Sequence, residues 1–108
     1  MNIKKVAVIG SGIMGHGISQ VVATAGVQVL LNDVAEDVLE KARRQIESSL
    51  DRGIKKGKIS EEDKQDILRR ITFTSDVRTA VEDADLVIEA VPENLELKTA
   101  IFRKLDEF

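Results

Sequence analysis

Gly10-Ser11-Gly12-Ile13-Met14-Gly15 constrains this chain more than any other segment, because of what stands on either side of it. Before it, Lys5–Ile9 is a short continuous aliphatic run, as expected of a strand buried on both faces of a parallel sheet. After it, Met14, Ile18, Val21, Val22 and Ala25 recur at helical spacing until Gly26 stops the pattern. A second aliphatic run, Val27–Leu31, follows and ends in Asn32 and Asp33. Strand, helix and strand in that order make a βαβ unit, since parallel strands need a crossover of at least this length.

A six-residue glycine pattern is weak evidence alone. Here it leaves a strand and opens a helix, and Asp33 closes the next strand 18 residues after Gly15. Gly10 permits a tight turn, Gly12 lets backbone approach a pyrophosphate, and Gly15 lets the helix pack close to the sheet. The amides of the first helical turn, including those of Ile13 and Met14, then meet two phosphates without a lysine. Asp33 is placed to accept hydrogen bonds from ribose hydroxyls. A carboxylate there, followed by Val34 and Ala35 rather than arginine, predicts NAD over NADP. The alternative is a turn aspartate after a strand. Met14 either packs over the turn or lines the cofactor pocket. The lone His16 is expected to face solvent on the first turn, and it has no Cys or second His with which to share a metal.

The rest of the chain continues the alternation. A long helical stretch with Val38, Ala42, Ile46 and Leu50 on one side runs to a basic break between Gly53 and Gly57. Ser60, with Asp63 three residues later, caps a second helix, so a helix pair occupies about residues 35–70. Ile71–Thr74 is a third strand, Asp76–Glu82 a brief helix, and Asp85–Val91 a fourth strand ended by Pro92. Asn94 caps a last helix with Leu97, Ile101, Leu105 and Phe108 along one side. About four crossover-connected strands predict an α/β, doubly wound, Rossmann-type parallel sheet with a helical hairpin between strands two and three. A six-stranded dinucleotide domain would need two more, so the domain reads as incomplete, with Leu86-Val87-Ile88 on an unprotected edge. Residues after Val91 should lie near the nicotinamide end of a dinucleotide, where Glu93 and Lys98 either bracket a ribose across one helical turn or serve as a helix-start carboxylate and a surface lysine.

Composition narrows the alternatives. Sixteen Lys+Arg against 19 Asp+Glu, a net charge of -3, leaves no basic excess to track a nucleic acid. No apolar run approaches the roughly 20 residues that cross a bilayer, so no membrane partner is expected. The absence of Cys excludes a disulfide framework and a thiolate nucleophile, and fits a cytoplasmic protein.

Three segments, Gly10 through Gln20, Leu31-Asn32-Asp33 and Glu89 through Lys98, resemble the N-terminal part of the 3-hydroxyacyl-CoA dehydrogenases, which include the 3-hydroxybutyryl-CoA dehydrogenases. The likeness covers essentially the whole chain, and Glu-Ala-Val-Pro-Glu-Asn-Leu with the helix pair is its most specific part. The resemblance implies an NAD domain in which Asp33 binds the adenosine ribose and Glu93 and Lys98 contact the cofactor. It also implies that Ser49 and Lys56, on the helix pair, help to hold coenzyme A. Family members oxidise the 3-hydroxyl of an acyl-CoA with a histidine base oriented by a glutamate, and a serine and an asparagine position the substrate. None of those four matches a residue here, and neither does the helical C-terminal domain that forms the homodimer. The chain by itself is therefore expected to be catalytically inert. Two other readings are a stand-alone NAD-binding regulatory module and the front of a dehydrogenase for a small β-hydroxy acid.

Overall fold

A computed structural model of the chain describes residues 3–10, 12–91 and 96–101. Its elements are β1 (Lys5–Ile9), α1 (Ile13–Thr24), β2 (Gln28–Asn32), α2 (Glu36–Lys55), α3 (Glu61–Arg69), β3 (Ile71–Thr74), α4 (Val77–Val81), β4 (Leu86–Val91) and β5 (Glu96–Ile101). The sheet order is β3-β2-β1-β4-β5, with the first four strands parallel. This is the doubly wound, Rossmann-type arrangement, and its order reverses between β1 and β4.

The two faces of β1 enter two cores. Val6 and Val8 join Val29, Leu31, Ile46, Leu50 and Ile67 beneath α1, α2 and α3. Ala7 faces the other way, toward Ala80, Ala84 and Val87 beside α4. Strands buried on both sides account for the unbroken aliphatic runs.

Both long connections end in the same device. At the end of α1, Gly26 (φ 94) donates to Ala23 O and Val27 to Val22 O. At the end of α2, Gly57 (φ 73) donates to Ile54 O and Lys58 to Gly53 O. These paired bonds satisfy terminal carbonyls and need a left-handed residue, which glycine supplies without a Cβ penalty. At the other end of the loop, Ser60 Oγ accepts from the Asp63 amide and Asp63 Oδ2 accepts from the Ser60 amide, both at 3.0 Å, closing the expected capping box.

Four expectations need correction. Glu96–Ile101 is a strand antiparallel to β4, not a turn of helix, which gives five strands and covers the edge at Leu86-Val87-Ile88. Leu97, Thr99 and Ile101 alternate with Glu96, Lys98 and Ala100, so the segment also carries a period of two, and the edge of β4 supplies the partner. Secondly, α2 continues through Gly53, where a Cβ would meet Ile59 Cγ1 at 3.3 Å, so the glycine serves close packing rather than a break. Leu39 rather than Val38 begins its buried stripe with Ala42, Ile46 and Leu50. Finally, α1 packs through small residues: Ser19 and Ala23 are fully buried, whereas Val21 is 70% exposed. Proposals for Pro92, Glu93 and Asn94 lie outside the described residues.

Candidate functional site

The reversal between β1 and β4 is where a doubly wound sheet opens a crevice beyond its strand ends. Gly10 sits at the mouth of it. Its amide donates to Asn32 O at 2.7 Å, and its φ is 99. A Cβ there would stand 2.8 Å from the Ala90 carbonyl oxygen, so only glycine fits between the ends of β2 and β4. At Gly15 a Cβ would overlap the Gly10 carbonyl oxygen itself, with Leu31 Cδ1 at 3.8 Å on the other side. Strand, turn and helix are thus drawn together more closely than any side chain permits.

Gly12 is the N-cap of α1 and offers no side chain to cap the helix, and the first turn holds no acidic residue. The His16 amide donates to Gly12 O at 3.0 Å, beginning the helical ladder. The amides of Ile13, Met14 and Gly15 come before it, and in any α-helix such groups have no intrahelical acceptor. The glycine cradle and this uncapped, uncharged helix start fit a pyrophosphate. A dinucleotide cofactor would be held here by Gly10, Gly12, Ile13, Met14 and Gly15.

Asp33 directly follows the neighbouring strand β2. Its amide donates to Thr74 O at 3.3 Å, and its Oδ1 accepts from the Ala35 amide at 3.0 Å. The turn aspartate and the ribose ligand are therefore compatible roles for one carboxylate, because the turn fixes it at the strand end. Buried Asn32, which donates from Nδ2 to Thr74 O at 3.1 Å, stands between Asp33 and the Gly10 turn. Its contribution had no signal in the sequence beyond its place before Asp33.

His16 departs from expectation. The ring is half-buried, not solvent-facing, and its Nδ1 is buried with no hydrogen-bond partner among the described residues. Burial lowers its pKa from 6.5, since the charged ring is poorly solvated there.

Ser49 and Lys56, the hairpin residues expected to hold coenzyme A, are not brought together in the described cavity at the hairpin end. Ser49 Oγ accepts a 2.9 Å hydrogen bond from Gln20 Nε2 of α1. Lys56 is exposed at the C-cap of α2, seven residues on and so about 10 Å along the axis on the same side. An open cavity of about 350 Å³ at the hairpin end is lined by Ser48, Asp51, Arg52, Ile54, Lys55 and Glu61, and by neither of the two. Lys64 joins α3 to Asp51 of α2 at 2.7 Å, and this bond raises the Lys64 pKa. At the far side of the sheet, Val91 ends β4, and the backbone of Lys98 is in register with Glu89 on β5. Lys98 is therefore on a strand, not on the helical turn that was to set it against Glu93.

The family model for the 3-hydroxyacyl-CoA dehydrogenase NAD binding domain matches residues 5–108. The chain belongs to this family. Among curated relatives, a probable 3-hydroxyacyl-CoA dehydrogenase of Caenorhabditis elegans is 43% identical over 110 residues, covering 98% of this chain and 37% of the relative. The mitochondrial hydroxyacyl-coenzyme A dehydrogenase of Rattus norvegicus is 43% identical over 111 residues, with 98% and 35% covered. A crystal structure of (S)-3-hydroxybutyryl-CoA dehydrogenase from Ralstonia eutropha superposes with a TM-score of 0.82 at 39% identity, over 86% of this chain and 32% of that one. The chain thus spans about a third of the length of these relatives.

Proposed function

We propose that this chain is the NAD-binding portion of an NAD-dependent (S)-3-hydroxyacyl-CoA dehydrogenase. The observation that carries the reading is the Gly10–Gly15 contact, which leaves an uncapped helix start at the sheet's reversal with Asp33 one strand away. When bound there, NAD supplies a hydride acceptor for oxidation of a 3-hydroxyl to a 3-oxo group. The chain's own residues do the binding: first-turn amides take the pyrophosphate, Asp33 takes the adenosine ribose and disfavours a 2′-phosphate, and Glu93 and Lys98 take groups nearer the nicotinamide. Ser49 and Lys56 contact the coenzyme A of the substrate, Lys56 as a point charge for its phosphates. The acyl group is met elsewhere in the full-length enzyme, which we expect to be a homodimer with its base outside these residues. The named activities of the relatives support acyl-CoA over a small β-hydroxy acid or a purely regulatory role.

The test is a fluorescence titration with NADH, run beside NADPH and an Asp33→Ala variant. The chain has no Trp or Tyr, so cofactor emission is read against little protein background. Saturable NADH binding, weaker for NADPH and weakened in the variant, is expected. A folded chain that binds neither nucleotide would overturn the cofactor assignment.

A further inference from the structure

Among the described residues, two side-chain hydrogen bonds tie helix α1 to the hairpin. Arg70 Nη1, just past α3, donates to Ala23 O at 2.9 Å, and Gln20 Nε2 donates to Ser49 Oγ at 2.9 Å. The first is a side chain closing on a helical carbonyl. The second is different, because it ends on a hydroxyl with a proton of its own still to place.

A serine or threonine inside a helix commonly donates that proton to the carbonyl four residues back. Two hydroxyls of α1 do so: Ser19 to Gly15 O at 2.9 Å and Thr24 to Gln20 O at 2.7 Å. Among the described residues Ser49 Oγ donates to nothing, and its one bond is the one it accepts from Gln20. With the Gln20 amide on one lone pair of Ser49, the hydroxyl proton is left with no acceptor on α1 among the described residues. A hydroxyl so held is a donor for an anionic oxygen, on the same side of α2 as the Lys56 cation two turns later.

We infer that Gln20 is a positioning residue for the coenzyme A site: it holds Ser49 as a donor toward a substrate phosphate. This deepens the proposal for Ser49 and rests on it. Gln20 does not touch the ligand in this scheme. It acts by fixing which way one proton points, from a helix whose other end receives the dinucleotide.

The test is titration of the isotope-labelled chain with coenzyme A, followed by amide shifts from Ser49 to Lys56, which register weak binding. Four proteins are compared: the parent chain, Ser49→Ala, Gln20→Glu and the double variant. Glutamate keeps the shape and a hydrogen bond to Ser49, yet only accepts, so the Ser49 proton must turn toward it. Gln20→Glu should weaken binding roughly tenfold, as Ser49→Ala does, because each removes a donor to a charged oxygen. The double variant should be no weaker than Ser49→Ala. A merely structural link would leave Gln20→Glu binding like the parent, and a charge effect would persist in the double variant; either result overturns the inference while the Ser49 proposal stands. If Ser49→Ala binds like the parent, or coenzyme A moves none of these amides, the Ser49 proposal falls and takes the inference with it. NADH binding, read in parallel, should be the same in all four.

Discussion

The Gly10 carbonyl oxygen lies where a Cβ on residue 15 would have to be. Turn and helix are in backbone contact, so neither can swing aside as a long side chain could. Gly15→Ala should therefore displace the first turn of α1 and weaken NADH binding by at least about tenfold. A lowered melting temperature should accompany it. Gly17→Ala is the control, since a Cβ at Gly17 meets nothing within 4 Å; it should bind NADH like the parent.

Asp33 combines a turn and a charge, and the two can be separated. An asparagine side chain at this position would still accept from the Ala35 amide, so Asp33→Asn should keep the bond that fixes the turn. Losing a charged acceptor for a ribose hydroxyl costs affinity for NADH by roughly tenfold or more. NADPH, no longer repelled, should lose much less, and the ratio of the two dissociation constants measures the shift.

The capping box at Ser60 should register in stability alone. Ser60→Ala removes an acceptor from the Asp63 amide and should cost about 1 kcal/mol. In a domain this small that lowers Tm by roughly 4–8 °C. Ser60→Asp, which retains an acceptor, should recover most of it. NADH affinity should not move in either variant, and calorimetry beside the fluorescence titration checks both statements.

His16 gives the unliganded chain a pH dependence with a definite sign. Its folded pKa lies below 6.5, so the unfolded chain binds the proton more readily. The neutral ring's advantage is fully present above the unfolded value and is lost as pH falls through the folded one. Denaturant midpoints should therefore decline as pH drops below about 6.5. His16→Gln should flatten that decline. A variant whose profile overlays the parent between pH 5 and 7 would assign the dependence elsewhere.

What the sequence made legible was local. The glycine stops at Gly26 and Gly57 and the capping pair of Ser60 with Asp63 act through neighbours a few residues away, and these, like the strand KVAVI, are found where spacing put them. Contacts between distant segments were not legible. Asp85 Oδ2 accepts from the Lys4 amide at 2.8 Å and the Lys5 amide at 3.1 Å, across some 80 positions, and no local pattern announces it. Gln20 and Ser49 are hidden in the same way: each is an ordinary polar residue on its own helix. The close-packed side of α1 was misread because hydrophobicity points to Val21, whereas the sheet accepts Ser19 and Ala23. For Glu96–Ile101, two periodicities coexist in six residues, and only the neighbouring edge decides between them.

Strand β1 is bonded along both edges, to β2 and β4, and both of its faces are covered. Its amides can exchange with solvent only when the sheet itself opens, so they should be the slowest in the molecule. Gly10 extends that ladder by one more bond, to Asn32. The turn proposed to receive the phosphates therefore continues the strand expected to be the most protected. Gly10 is thereby tied to the part of the fold expected to open least often, and a ligand arriving there would meet a residue already held.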